Sequence, residues 1–199
     1  AIVVPSKAVA LSGTAAVLKS ALAGTVTDAA SAKINGTVTI TEANPSLSDL
    51  QTINTAVDGT ISIQSKALSY SGTAAALAEA LAGTVTEVTT GAAITGNMTL
   101  TAAGGNPNAV QLQTINNATT GNVIIPDKTV TLSGTRAVLV EALAGTVTNA
   151  ASEKITGTVT ISAGGGNPTA AQLKIINDSI DGAIVVPSKA VALSGTAAV

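Results

Sequence analysis

The chain repeats itself about every sixty residues. The tripeptide Ser-Gly-Thr recurs at spacings of 59, 62 and 61 residues, beginning at Ser12, Ser71, Ser133 and Ser194. Two further markers keep the same phase: Ala-Gly-Thr-Val-Thr over 23–27, 82–86 and 144–148, and Asn-Pro at 44–45, 106–107 and 167–168. Three markers in one phase predict a repeat protein, in which each unit completes its apolar layer only against its neighbours.

A longer period is superimposed on the sixty-residue one. Residues 1–17 are identical to residues 183–199, an offset of 182 residues. We therefore predict one repeat array over 1–199, with units at about 1–58, 59–120 and 121–181 and the start of another at 182–199. Because the chain begins at Ala1 in the middle of the pattern, we interpret it as an excerpt of a longer protein or a processed product.

Each unit divides into two halves of about 30 residues, and each half is predicted to form a strand, a helix and a strand. In the first half, Thr14 is the expected N-cap of a helix over 15–23 and Gly24 its left-handed C′ residue. In the second half, Asn44 followed by Pro45 predicts the helix start and Gly59 its end. The buried stripes are predicted to be Val17, Leu18, Ala21 and Leu22 in one helix, and Leu47, Leu50, Ile53 and Val57 in the other.

The predicted strands alternate between apolar residues and threonine. The apolar members are expected to face inward: Val26, Val38, Ile40, Met98, Leu100, Val159 and Ile161. The threonines are expected to face outward: Thr25, Thr27, Thr37, Thr39, Thr84, Thr86, Thr146, Thr148, Thr158 and Thr160. Such alternation indicates a sheet that is buried on one face only, with helices on that face and a threonine-lined open face opposite.

Spacing favours one architecture for the stack. Neighbouring helices pack about 8–10 Å apart, and two strands at about 4.8 Å each advance by about 9.6 Å. Two strands per helix therefore predict an α/β repeat solenoid with a continuous sheet, one layer of helices and a length of about 60 Å per 182 residues. The alternative places the two strands in separate sheets, as a triangular β-solenoid with one helical side.

The repeated motifs resemble those of very large secreted or surface-attached proteins of marine cyanobacteria and other bacteria. The matching segments are Ser12–Leu18, Ala21–Thr27, Gly36–Thr41 and Asn44–Gly59, and their counterparts in the following units. The resemblance covers essentially the whole chain. It implies an extracellular fibre, stalk or adhesin shaft, and it carries no known chemistry.

Composition argues against catalysis and nucleic-acid binding. The chain has no His, Cys, Trp or Phe, and Tyr70 is its only aromatic residue, so we expect no nucleophile–base pair and no stacking platform. Its 9 basic and 11 acidic residues form no basic patch. No apolar run is long enough for a membrane span. We predict that the chain is not an enzyme and binds no cofactor and no metal.

Three features that could have carried chemistry have simpler interpretations. Asp58, Asp178 and Asp181 lack the spacing of a calcium loop. The glycines at 104–105 and 164–166 precede helix starts, where an anion could bind, but we interpret them as loop insertions. Glu79 and Glu141 occupy the same helix position in two units and are expected to be surface residues.

Two functions are consistent with these observations. The first is a structural filament, fibre or adhesin shaft at the cell surface or outside the cell, which continues end to end with copies of itself and could also associate with them laterally. The second is a surface-binding module that uses the Thr-x-Thr rows to bind ice or a crystalline polymer. Breaks in those rows at Ala8, Ala10, Ala67 and Ser69 count against the second, and threonine is in any case common in strands. Differences between the units, such as Met98 and Arg136, argue against a designed consensus protein.

Overall fold

The computed structural model describes residues 2–188; Ala1 and residues 189–199 lie outside the description. The fourth Ser-Gly-Thr, at 194–196, and most of the predicted start of a further unit fall among the latter. Within the described range six helices follow one another: α1 (Ala15–Leu22), α2 (Leu47–Ala56), α3 (Ala74–Leu81), α4 (Ala109–Ala118), α5 (Arg136–Leu143) and α6 (Ala170–Ser179). Each packs against the next one in the chain.

Short strands flank every helix, as the alternating pattern predicts. The first seven are β1 (Ile2–Val4), β2 (Leu11–Gly13), β3 (Val26–Asp28), β4 (Val38–Ile40), β5 (Ile61–Ile63), β6 (Tyr70–Gly72) and β7 (Val85–Glu87). The remaining six are β8 (Met98–Leu100), β9 (Val123–Ile125), β10 (Leu132–Gly134), β11 (Val147–Asn149), β12 (Val159–Ile161) and β13 (Ile184–Val185). The described fold is thus a repeating α/β arrangement with about two strands per helix.

All strand pairs are parallel, and they form four hydrogen-bonded groups. Their orders are β1-β3, β2-β4-β5-β7, β6-β8-β9-β11 and β10-β12-β13. The continuous sheet expected from the sequence is therefore divided among the described residues. The strands on either side of a second-half helix, such as β4 and β5, pair with each other. The strands on either side of α3 do not, because β7 pairs with β5 and β6 pairs with β8.

This pairing makes each four-stranded sheet cross a unit boundary. Strands β2 and β4 belong to the first predicted unit, whereas β5 and β7 belong to the second. Through every first-half helix the chain accordingly returns to the preceding sheet, as α3 does between β6 and β7. A unit cut at its sequence boundaries would lose half the hydrogen bonding of its strands.

The helix starts confirm one capping prediction and correct another. Thr14 caps α1, since its hydroxyl accepts a hydrogen bond from the Val17 amide. Asn44 does not cap α2: the N-cap is Ser46, whose side chain accepts from the Asp49 amide. The residue before a proline favours extended backbone, and a second capping residue follows each proline. That residue is Ser46 in α2, Asn108 in α4 and Thr169 in α6.

The glycines after the helices were only partly understood from sequence. Gly83 has a φ of 118°, as a left-handed C′ residue should, but Gly24 and Gly145 are not in that region. Gly59 does not end α2, which finishes at Ala56. A Cβ on Gly59 would instead lie 2.1 Å from the carbonyl oxygen of Gly36. The same close backbone approach joins Gly96 to Gly121 and Gly157 to Gly182.

The core lies between the helices and one face of the strands. Leu50 and Ile53 of α2 are fully buried, together with Val38 and Ile40 of the strand before it. The other units repeat this layer with Leu112 and Ile115 and with Met98, Leu100, Val159 and Ile161. In α1, by contrast, Leu18 and Leu22 are buried whereas Val17 and Ala21 are exposed. Aliphatic side chains from successive units thus form one connected core.

Candidate functional site

The central residue of each strand faces away from the core, and these residues line up in rows across the sheets. In the first four-stranded sheet the register aligns Ser12, Thr39, Ser62 and Thr86. In the second it aligns Ser71, Thr99, Ile124 and Thr148. In the third it aligns Ser133, Thr160 and Val185. We call this set of central residues the hydroxyl face.

The ten threonines proposed from the sequence occupy two kinds of position. Five lie at strand centres and are half-exposed: Thr27, Thr39, Thr86, Thr148 and Thr160. The other five come immediately before a strand: Thr25, Thr37, Thr84, Thr146 and Thr158. The backbone carbonyls of this second group each accept a hydrogen bond from the first residue of a neighbouring strand, at 2.8–3.0 Å, as in the bond from Ile61 to Thr84. Residues two apart in extended backbone share a face, so both groups contribute to the same surface.

The hydroxyls of this face are left to the solvent. Those of Ser12, Thr39 and Thr86 make no hydrogen bond to any described residue, although backbone groups around them are paired. Ser62 is 8% exposed and also makes no such bond, yet no fully enclosed side-chain polar atom in the described range lacks a partner. A row of hydroxyls that is not bonded within the protein can bond to water or to a flat polar partner.

Apolar residues interrupt the hydroxyl face at places other than those expected. The sequence suggested breaks at Ala8, Ala10, Ala67 and Ser69, but these residues lie outside the strands. The breaks in the rows are Val3, Ile124 and Val185. Sequence reasoning missed the serines of the row, since Ser12, Ser71 and Ser133 were interpreted only as repeat markers. Their position one residue before a glycine and two before an N-cap was the available signal.

A second distinctive surface is the joint between the second-half helix of one unit and the first-half helix of the next. The Asn54 amide of α2 donates to the Glu79 carbonyl of α3 at 2.6 Å, and the Asn116 amide of α4 donates to the Glu141 carbonyl of α5 at 2.7 Å. A glutamine one turn earlier, Gln51 or Gln113, bonds to the carboxylate of the same glutamate. The α2/α3 and α4/α5 joints therefore share one hydrogen-bonding pattern.

These bonds give Glu79 and Glu141 the same helix–helix contacts in two units. The Gln113 and Asn117 amides hold the pKa of the Glu141 carboxyl below its usual range, because both donate to the charged form. The two carboxylates belong to different joints. Each thus fixes a helix neighbour, as expected for repeat-related residues.

A cleft of about 310 Å³ opens beside the α2/α3 joint. Lys33, Asp58 and Glu79 line it, together with Asn54 and Gly83. The Lys33 ammonium already donates to the Thr55 carbonyl at 2.8 Å, and Glu79 accepts from Gln51. In the following unit an alanine, Ala93, stands where the first unit has Lys33, so the units do not share this arrangement.

Each first-half helix is followed by a strand, and the turn after that strand is built around one polar side chain. Asp28, Glu87 and Asn149 occupy this position and accept hydrogen bonds from backbone amides two to four residues ahead. The Thr90 hydroxyl and the Thr89 and Thr90 amides lower the pKa of Glu87 to about 2. These bonds replace the hydration of the carboxylate and stabilise the turn.

The other sequence candidates have structural roles. The loops before α4 and α6 each form a single 3₁₀ turn, Ala102–Gly104 and Ala163–Gly165, followed by a glycine with φ near +73°. Tyr70 is buried, and its hydroxyl donates to the Pro45 carbonyl at 3.3 Å. Burial raises the pKa of Tyr70 to about 12. Over residues 2–188 no cluster of three or more acidic, His or Cys side chains is arranged to hold a metal ion.

No helix in the described part of the chain is both long and apolar enough to cross a bilayer. Comparison of the chain with protein-family models, with curated proteins and with solved structures found no match. The functional argument therefore rests on the hydroxyl face and the helix joints.

Proposed function

We propose that the chain is a segment of a structural solenoid that serves as an extracellular filament, fibre or adhesin shaft. One observation carries the proposal: the α2/α3 joint and the α4/α5 joint use the same asparagine, glutamine and glutamate contacts. A joint that repeats with the sequence period can be added again without new contacts. An array of such units can therefore be lengthened by adding further units.

The sheet pairing supports the same function. Because each four-stranded sheet takes two strands from each of two units, successive units are held by backbone hydrogen bonds as well as by helix packing. Tension along such an array would load many parallel bonds at every joint. A load-bearing shaft needs that continuity, whereas an enzyme needs a cleft that gathers reactive groups from distant segments.

The length of arrays tests the shaft. Covalent arrays of one, two and three 182-residue periods should lengthen by about 60 Å per period, given about 9.6 Å for each pair of strands. Small-angle scattering and negative-stain electron microscopy would give the length and the cross-section of each array. A constant cross-section with a linear increase in length supports the proposal. Compact particles whose radius grows with the cube root of mass would reject it.

The location outside the cell needs its own measurement. Antibodies raised against the recombinant chain would be applied to intact source cells and to the isolated extracellular material. We expect gold label on surface-attached or released fibres. Label confined to the interior of permeabilised cells would contradict the extracellular assignment and leave the shaft architecture unaffected.

A second function, binding to ice or a crystalline polymer, is favoured by the unbonded hydroxyls of Ser12, Thr39 and Thr86. An inhibition assay for ice recrystallisation and co-sedimentation with crystalline cellulose would test it. Binding that is lost in Thr39→Lys/Thr86→Lys, and kept when Thr52 and Thr114 on the helices are changed to lysine, would support this function. The absence of binding by the unchanged chain would remove it.

A further inference from the structure

The two ends of the described fold expose apolar positions that the interior buries. Ile2 of β1 is 58% exposed, whereas Ile61 and Val123 at the same position are fully buried. Ala21 of α1 is exposed, whereas its counterparts Ala80 and Ala142 are fully buried. At the other end, a cavity of about 470 Å³ lies beside α6, lined by Ala170, Leu173, Lys174, Asn177, Ile184 and Val186. In interior units the preceding second-half helix covers the first kind of surface, and the next first-half helix covers the second.

The terminal strands β1 and β13 each make only one of the two strand pairs that an interior strand makes. Interior strand β5 pairs with β4 on one side and with β7 on the other. Strand β13 makes only the first kind of pair, with β12, and β1 makes only the second kind, with β3. Their sequences are the same, since Ile2-Val3-Val4 repeats as Ile184-Val185-Val186. A single Ile-Val-Val strand could therefore make both pairs at once.

We infer that a second copy of this chain docks end to end by placing its β1 strand beside β12, in the position that β13 holds. The inference rests on the proposed shaft and names its joint. The exchanged strands are identical, so replacing one by the other costs little in pairing. The gain is the burial of β1 and α1 of the second copy against α6.

The register of this joint follows from the present pairs. Thr160 is aligned with Val185, so it would be aligned with Val3 of the second copy. Asn177 occupies the repeat position of Asn54 and Asn116, and Ser20 occupies that of Glu79 and Glu141. The Asn177 amide would therefore donate to the Ser20 carbonyl of the second copy. Leu173, half-buried in the present structure, would become buried as Leu50 and Leu112 are.

Disulfide trapping tests the register directly, because the native chain has no cysteine. In a Val3→Cys/Thr160→Cys chain, cysteines on adjacent strands about 4.8 Å apart fall within the Cα separation that a disulfide accepts. Oxidation of the full chain at ~1 mM, the range of effective concentration that the tethered β13 strand presents, should give a ladder of multimers on a non-reducing gel. Val3→Cys/Thr148→Cys is the control, since Thr148 lies on β11, which the proposed joint does not place beside β1.

A charge on the docking face gives a second readout. Val17 of α1 is 61% exposed, and Val110 of α4, which lies away from both ends, is 59% exposed. Val17→Asp should reduce the cross-linked fraction several-fold because the joint would partly bury its carboxylate, as the interior counterparts Ala76 and Val138 are half-buried. Val110→Asp should leave it unchanged, and circular dichroism of both variants would confirm that they fold.

The outcomes separate the docking inference from the shaft. A ladder with Thr160→Cys that is absent with Thr148→Cys and sensitive to Val17→Asp supports docking. Equal ladders with both cysteine pairs, or no ladder at ~1 mM, would overturn it. Neither result bears on the covalent arrays, whose length increments test the shaft alone.

Discussion

Helices α4 and α6 occupy the same position in successive units, but within the described residues only α4 has a first-half helix packed against its far side. Leu112 and Asn116 of α4 are buried, whereas Leu173 of α6 is half-buried and Asn177 is exposed. The same repeat pattern therefore yields a core position in one helix and a surface position in the other. Burial here depends on the following unit more than on the residue.

The largest expected difference in stability is between alanine substitutions of Leu112 in α4 and Leu173 in α6. Leu112→Ala should lower the free energy of unfolding by about 3 kcal/mol, because it removes a fully buried side chain and leaves a cavity. Leu173→Ala should cost about 1 kcal/mol, since the half-buried site is already open to water. Urea unfolding of both full-length variants, followed by circular dichroism, would measure the difference. Equal losses would mean that α6 is covered as α4 is.

The next largest effect compares the glycines that follow first-half helices. A Cβ on Gly145 would lie 2.4 Å from the Asn116 side-chain oxygen, whereas a Cβ on Gly24 meets nothing within 4 Å. Gly145→Ala should displace Asn116 and cost about 2 kcal/mol through overpacking and a lost bond. Gly24→Ala should be neutral or stabilising by up to about 1 kcal/mol, because it restricts the unfolded chain. Equal losses in the free energy of unfolding for Gly24→Ala and Gly145→Ala would contradict this prediction.

A smaller effect on stability is expected when Asn116 itself is replaced. Asn116→Ala leaves the Glu141 carbonyl without its 2.7 Å partner in a part-buried joint, which should cost about 1–2 kcal/mol. Asn177→Ala, at an exposed site, should change stability by less than about 0.5 kcal/mol. Thermal unfolding by calorimetry of the two variants would check this. A large loss for Asn177→Ala would show that its amide already has a partner at the chain end.

The smallest effect is the acid dependence of the sheet side of the α2/α3 joint. Glu87 ends β7, which pairs with β5 beneath the joint. Its pKa of about 2 is below the ordinary value of 4.5, so the folded state binds this proton less readily than the unfolded state. The stabilisation is complete above pH 4.5 and is lost as the pH falls towards 2.

Glu87→Gln is the matched variant, because an amide oxygen can still accept from the Thr89 and Thr90 amides. We expect the urea midpoint of the native chain to fall more steeply between pH 4.5 and 2 than that of the variant. Other carboxyls also have a lowered pKa, such as Glu141 and Glu153. Their contribution is the same in both chains, so subtracting one profile from the other removes it. Parallel profiles would show that the turn does not depend on the charge.

Local structure was predictable from the sequence because each element carries its own signal. The period of the apolar residues and Thr14 located α1, and the Val38–Ile40 alternation located β4 with its correct face. Sheet connectivity was not predictable. Each described strand has three or fewer residues, and equivalent strands of different units are nearly alike, as in the Val-Thr-Ile of β4 and β12 and the Leu-Ser-Gly of β2 and β10. The sequence therefore does not indicate which of them pair.

The predictions for Gly59 and Asn44 were wrong for different reasons. Gly59 was expected to end a helix, a local role, but its lack of a side chain is required by the Gly36 backbone 23 residues away in sequence. Asn44 was expected to cap α2 because it precedes a proline, although Ser46 was an equally good candidate two residues later. For the candidate site, the threonines were found by alternation, whereas the serines of the row were interpreted only as repeat markers, and the strand register shows their place in the row.

The sharing of each sheet between two units has a consequence for how the parent gene can change. Unequal recombination that inserts or deletes a whole sixty-residue unit keeps the alternation of first-half and second-half helices. Every sheet then retains its four strands. An insertion of thirty residues would place two like halves in succession and leave unmatched strands at the junction. We expect natural length variants of such arrays to differ by whole units.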